Sequence, residues 1–169
     1  TGSVGDNLLP STFPVIDLGG AVVIDIAAGQ DHACAVVEGG DVYCWGNNNA
    51  GQLGYGNTLD VGDDENPVDA GPVALGAPAV AIAAGLTFSC AALDTGDVRC
   101  WGSGNNGRLG YGNTLVIGDD ELPDSAGPVD LGGVTVVDVS AGEAHACALT
   151  DLGEVYCWGE AGLGRLGYG

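Results

Sequence analysis

His32-Ala33-Cys34-Ala35-Val36-Val37-Glu38-Gly39-Gly40-Asp41-Val42-Tyr43-Cys44-Trp45-Gly46 reads as a β-hairpin. Two apolar arms, near His32 to Val37 and Asp41 to Trp45, flank the loop Glu38-Gly39-Gly40. Glycine in the third loop position is what a type I turn closing into a G1 bulge requires, because that residue sits at positive φ. Counting outward from a three-residue loop sets Cys34 opposite Cys44 at a non-hydrogen-bonded site, where antiparallel strands approach most closely. Cysteines opposed at that distance can form a disulfide.

The same hairpin occurs three times. Cys34, Cys90 and Cys147 lie 56 and 57 residues apart, as do Cys44, Cys100 and Cys157, each of which precedes a Trp-Gly pair at Trp45, Trp101 and Trp158. The matching loops are Asp94-Thr95-Gly96 and Asp151-Leu152-Gly153, and Leu-Gly-Tyr-Gly recurs at Leu53, Leu109 and Leu166. Three independent markers with one period establish an internal repeat. Ahead of each hairpin runs an apolar segment ending in Ala-Gly: Ala21 to Gly29, Val80 to Gly85, and Val134 to Gly142. Being apolar on both faces, it reads as an inner strand buried between sheets. Behind each hairpin comes a Gly-rich loop and, after the first two, an acidic loop and a Pro-Val pair (Pro72-Val73, Pro128-Val129) that is expected to supply a fourth, outer strand. Three or four short strands per unit of about 55 residues fit a β-propeller blade. The expected fold is therefore all-β: one repeat domain over 1–169, with blades at about 1–56, 57–112 and 113–169.

Charge narrows the partners. Three basic residues, none of them lysine, stand against 23 acidic ones, a net charge of −20. Nucleic acid and anionic membrane surfaces would be repelled, whereas cations or basic proteins would be attracted. A hydrophobic content of 46% argues against disorder. The longest weakly polar segment, Ala70 to Gly85, is interrupted by Pro72 and Pro78 and is too short to span a bilayer. No leader is visible and the chain opens on Thr1, as expected of a processed product or fragment. Six cysteines opposed in three identical hairpins are expected as the disulfides Cys34–Cys44, Cys90–Cys100 and Cys147–Cys157, which places the chain outside the cytosol or at a cell surface. The alternative is six free buried thiols. Zinc is disfavoured, because a spacing of ten residues lacks the Cys-x-x-Cys knuckle.

Further motifs carry a resemblance. Ala28-Gly29, His32-Ala33-Cys34-Ala35, Asp41-Val42-Tyr43-Cys44-Trp45-Gly46 and Asn48-Asn49-Ala50-Gly51-Gln52-Leu53-Gly54 follow one another in the first copy. The third copy repeats them as Ala141-Gly142, His145-Ala146-Cys147-Ala148, Val155-Tyr156-Cys157-Trp158-Gly159 and Gly164-Arg165-Leu166-Gly167. The second departs, with Phe88 for the histidine and Arg99 for the tyrosine. This pattern resembles the regulator-of-chromosome-condensation repeat family. The resemblance implies a propeller of mostly four-stranded blades, a scaffold that in the family serves nucleotide exchange on a small GTPase, chromatin contact or inhibition of secreted enzymes. The chromatin role suits so acidic a chain badly, and the inserted loop needed for exchange has no counterpart here. Cysteine pairs and acidic loops look most like secreted bacterial members.

Catalytic chemistry finds no foothold. His32 and His145 share one repeat position that Phe88 fills in the second copy, so recurrence marks packing rather than a catalytic base. Asn47 to Gly51 and Ser103 to Gly107 lack the helix and lysine of a phosphate cradle and read as turns. The acidic loops are the one place for ligand chemistry. Asp60-Val61-Gly62-Asp63-Asp64-Glu65 aligns with Val116-Ile117-Gly118-Asp119-Asp120-Glu121, and decays to Val4-Gly5-Asp6-Asn7-Leu8 in the first copy. Asp63, Asp64, Asp119 and Asp120 are the expected carboxylate ligands if calcium binds, since a hard cation takes six to eight oxygens. The alternative is a solvated acidic loop.

The expected role is thus extracellular, non-catalytic protein binding or assembly. Its alternatives are a calcium-dependent structural subunit of a surface or matrix assembly and an inhibitor of a secreted enzyme. Three blades are too few for a closed ring. The chain is expected to belong to a longer propeller first, then to a two-chain ring of six blades or a head-to-tail stack, with Thr1 in phase with Thr114.

Overall fold

Each hairpin takes one more strand on its inner side and stops there. In the computed structural model, which describes residues 4–6 and 8–169, nine strands form three separate sheets. The first holds β1 (Val23–Ala28), β2 (His32–Val37) and β3 (Val42–Gly46). The second holds β4 (Ala79–Ala84), β5 (Phe88–Leu93) and β6 (Val98–Gly102), and the third β7 (Val136–Ala141), β8 (His145–Thr150) and β9 (Val155–Gly159). All pairs are antiparallel, in the orders β1-β2-β3, β4-β5-β6 and β7-β8-β9. Thr1 and Asn7 lie outside the described residues.

The hairpin turns follow the loop chemistry. Gly40, Gly96 and Gly153 all have positive φ (88°, 87° and 80°), as the bulge position demands. The first loop differs in one respect: Gly39 is also at positive φ (98°), which belongs to a type II rather than a type I turn. A second glycine there permits what Thr95 and Leu152 do not.

The expected fourth strand does not form. Val73 and Val129 contribute one backbone bond each, to the carbonyls of Val42 and Val98 (2.8 Å both). The remaining outward groups of the edge strand are met one at a time. The Tyr55 hydroxyl accepts the Cys44 N–H and donates to the Cys44 carbonyl, both at 3.0 Å. Gly46 forms a two-way bridge with Val61. Tyr111 on Cys100 and Ile117 on Gly102 repeat this in the second sheet, and Tyr168 on Cys157 in the third. A buried peptide group needs a partner rather than a strand, so one phenol and two short contacts serve as well. Burial pushes the Tyr55 phenol up to about 12. Because Val61 and Val73 bond to β3, the first blade in space takes in residues beyond 56.

Sheets stack face to face, with β2 against β4 and β5 against β7, and with the inner strands β1, β4 and β7 adjacent. Where those strands end, the Ala-Gly pairs converge. A Cβ on Gly29 would strike the Gly85 carbonyl, and one on Gly85 would come within 2.7 Å of the Gly142 carbonyl. Only glycine allows that approach. Two cores fill the gaps between sheets. The first joins Val36, Val42 and Leu53 to Ile82, Leu93 and Trp101. The second joins Phe88, Val98 and Leu109 to Val136, Val139 and Ala148.

Candidate interaction surfaces

At the end of the first two blades where β1 and β4 finish, the chain throws out the Gly/Asn loop and the acidic loop together, forming the loop face. Asn48, fully buried, organises the first of these loops. Its side chain accepts the Leu53 N–H (2.9 Å) and donates to the Asn57 carbonyl (2.8 Å), while its own N–H is taken by Asp60 (2.8 Å). Asp60 is therefore committed to the loop. Gly51 of the first blade lies against the backbone of Gly118 and Asp119 of the second, so the acidic loop of one blade rests on the Gly/Asn loop of its neighbour.

Of the expected ligands, Asp63 and Asp64 converge with Glu65, and Asp119 and Asp120 with Glu121; the carboxylate oxygens in each trio lie within 4.8 Å of one another. Glu65 and Glu121 were not among the expected ligands, although they stand next in the sequence. Backbone amides already hold part of each trio: the Asp64 N–H donates to Asp63 (3.1 Å) and the Asp120 N–H to Asp119 (3.2 Å). Burial, the Asp120 side chain and the Asp119 charge push the Glu121 carboxyl above its ordinary value. Three carboxylates fit a hard cation in donor chemistry, with loop carbonyls and water left to complete six to eight oxygens. Beside the first trio opens a cavity of about 760 Å³ lined by Tyr55, Leu59, Asp63, Asp64, Glu65 and Leu122.

His32 lies at the base of the first Gly/Asn loop, in the junction between the first two sheets. Its Nε2 is 2.9 Å from the Ser89 hydroxyl, which donates onward to the Gln52 carbonyl (3.0 Å). With that hydroxyl proton committed, His32 donates from Nε2. Burial pushes its pKa down to about 4, against the opposing pull of the Phe88 backbone and Asp31. The next junction replaces the device with apolar packing: Phe88 and Ala146, both fully buried, with the Arg108 guanidinium 5.9 Å above the Phe88 ring. Ser89 is the partner that the sequence reading missed. Its only signal was a hydroxyl where the other copies have Ala33 and Ala146.

This junction has a pH signature. The unfolded chain binds a proton at His32 near pH 6.5 and the folded one only near 4, so stability is full above pH 6.5 and falls as pH drops to 4. The shift corresponds to at most about 3 kcal/mol. The double variant His32→Phe/Ser89→Ala copies the Phe88–Ala146 junction and should remove that loss. Melting temperatures of the two proteins should converge at low stability cost near pH 7 and separate, in the variant's favour, towards pH 4. Parallel curves would show that His32 titrates normally.

Cysteine positions complete the picture. Cys34–Cys44, Cys90–Cys100 and Cys147–Cys157 are bonded across the hairpins, with Cα–Cα separations of 4.0, 4.0 and 4.1 Å. The first two bridges are fully buried between sheets, and the third is half exposed on an open sheet face.

Comparison with known proteins settles the family. The model for the regulator of chromosome condensation (RCC1) repeat matches at residues 23–52, 79–108 and 136–165, once per sheet. A second RCC1 repeat model matches 39–92 and 95–149. The chain belongs to the RCC1 repeat family. Human HERC2, an E3 ubiquitin-protein ligase, is 35% identical to this RCC1-repeat chain over 151 residues, 87% of the chain and 3% of HERC2. The ultraviolet-B receptor UVR8 of Arabidopsis thaliana is 34% identical over 148 residues, 87% of the chain and 32% of UVR8. Yeast RCC1 (Prp20), solved with Kap60 bound, superposes with a TM-score of 0.62 at 25% identity, covering 87% of this chain and 34% of that one. Human WBSCR16 gives 0.65 at 23% identity, covering 83% and 34%. The chain thus spans 3% of HERC2 and about a third of UVR8, Prp20 and WBSCR16. RCC1 repeats are in general binding or regulatory modules. No helix among the described residues is long and apolar enough to cross a membrane.

Proposed function

We propose that this RCC1-repeat chain, acting as one unit over 1–169, is a non-catalytic, extracellular protein-binding module whose loop face takes a basic partner. The observation that carries this reading is the pairing of two carboxylate trios with a 760 Å³ cavity on a scaffold of stacked sheets. A net charge of −20 supports it by steering cationic surfaces towards the loops, and the three disulfides support an oxidising compartment. Neither nucleic acid nor lipid suits that charge. The test compares the wild type with a variant carrying Asp63→Asn, Asp64→Asn, Glu65→Gln, Asp119→Asn, Asp120→Asn and Glu121→Gln. Incubated with culture supernatant, the wild type should retain a basic protein that the neutral variant and 0.5 M salt both release. Equal capture by the two chains overturns the loop-face reading. Capture of one enzyme with loss of its activity would make the module an inhibitor.

A second reading, calcium held at the same loops as part of a surface or matrix assembly, is favoured by the convergence of three carboxylates at each. Calorimetry should then show two sites lost in the neutral variant. No heat and no change in melting temperature at millimolar calcium would leave the loops as solvated anions.

A further inference from the structure

Between the first two blades, the cavity of about 760 Å³ beside the first acidic trio takes its walls from both repeats. Leu59, Val61 and Pro72 come from the first repeat and Leu122 from the second. The second wall is fastened in place. The Asp124 N–H donates to the Ala74 carbonyl (3.1 Å), and the Arg99 guanidinium donates to the carbonyls of Pro123 and Asp124 (3.4 and 3.1 Å).

Polarity in this lining is one-sided. Tyr55 spends its hydroxyl on the Cys44 backbone, and Asn57 spends its amide on the Tyr55 carbonyl and the Leu59 N–H (3.2 and 2.8 Å). Asp60 accepts the Asn48 N–H (2.8 Å). Asp63, Asp64 and Glu65 are left, offering acceptors and negative charge; the N–H groups of Gly62 and Asp64 reach them at 3.1 to 3.4 Å. The chain supplies no cation to this trio. Arg99 is held by the carbonyls just named, Arg108 lies over Phe88, and Arg165 forms with Glu160 the one ion pair among the described residues (2.8 Å). On the same lining Leu59 is 72% and Leu122 43% exposed, and Leu122 stands where the first copy has Asn66. Carboxylates without a countercharge and exposed leucines in one cavity suit a ligand that carries both a cation and an apolar group.

We propose that this cavity recognises a short segment of the basic partner in which an arginine or lysine stands next to an apolar residue; the proposal rests on the loop-face reading above. The cation meets Asp63, Asp64 and Glu65, and its apolar neighbour covers Leu59 and Leu122. Charge steers the partner towards either acidic loop, and the leucines select which segment of it is seated. A lone amine would leave most of the apolar wall in water, whereas a few peptide residues suit a pocket within the range of roughly 300–1,000 Å³ that ligands occupy.

The probe is a short capped peptide carrying arginine next to leucine, titrated into the whole chain with its leucine methyl groups labelled for NMR. The Leu59 and Leu122 methyl signals should shift, and exchanging the peptide's arginine for glutamate should abolish the shift. Exchanging the peptide's leucine for glycine should weaken binding about tenfold, the worth of a partly buried leucine side chain. Leu122→Asn, read at Leu59, should weaken it by a similar factor. Asp63→Asn, Asp64→Asn and Glu65→Gln together should weaken it at least as much. Leu122→Asn copies the first repeat at an exposed position, so its melting temperature should match that of the wild type. Unshifted methyl signals in the wild type overturn the proposal, even where capture from supernatant succeeds. Equal affinity for the glycine peptide, or in Leu122→Asn, confines recognition to charge; it overturns the proposal and leaves the loop-face reading standing. Full affinity in the neutral variant removes the cation's seat, and the proposal with it.

Discussion

Replacing Trp101 by alanine should cost the fold about 3–5 kcal/mol, the range for truncating a large aromatic in a packed core. Trp101 is fully buried, belongs with Val73 to the cluster that joins the first two sheets, and closes on Gly54. No neighbouring backbone can move in to fill its space, because both sheets are held by their own ladders. Its indole N–H has no partner, since the Gln52 carbonyl that it would use by analogy with Trp158 is taken by Ser89. Trp101→Phe should therefore lose far less, keeping most of the apolar contact and removing an unsatisfied donor. Urea denaturation midpoints of the two variants decide the matter. A loss below about 1 kcal/mol for alanine would mean that the sheets are not held together by this core.

Removing the middle bridge, with Cys90→Ala and Cys100→Ala together, should cost about 3 kcal/mol from chain entropy alone, with some packing loss added. The bridged residues are ten apart, and the entropy released to the unfolded chain grows only slowly with loop length. All three bridges close loops of equal length, so the entropic share is the same for each. Access to reductant is not. Cys147–Cys157 is half exposed on the outer face, whereas the other four sulfurs are sealed between sheets. Graded reduction with peptide mapping should open Cys147–Cys157 first, leaving the folded chain largely intact, and the buried pairs only on unfolding. Simultaneous loss of all three would contradict the sheet stacking.

Much of this architecture is legible in the amino-acid order. The hairpin of Cys34 and Cys44, its three-residue loop and its recurrence follow from local turn chemistry and one period. The acidic trios are visible as neighbours in the chain. Tyr55, Tyr111 and Tyr168 were visible only as members of a marker, although each stands eleven residues after the second cysteine of its copy. Their use as substitutes for an outer strand depends on how the Leu-Gly-Tyr-Gly turn folds back over β3, which no pattern of hydrophobicity reports. The Pro-Val segments look like strands because they are apolar and short, yet they spend their backbone on a single bond.

By itself, then, the sequence determined the β-hairpins, the register that opposes each cysteine to its partner and the number of blades. The hairpins and their register depend on residues within about a dozen positions of one another, where turn geometry and pleat dictate the outcome, and the blades are counted from the recurrence of that unit. Only the tertiary structure decided which of three equivalent faces is interior. Val36, Ala92 and Leu149 occupy one repeat position, as do Ile26, Ile82 and Val139, yet Leu149 and Ile26 are left in solvent while their counterparts are sealed. Burial is conferred by the blade a full repeat away, and apolar side chains without such a neighbour remain a surface that favours association.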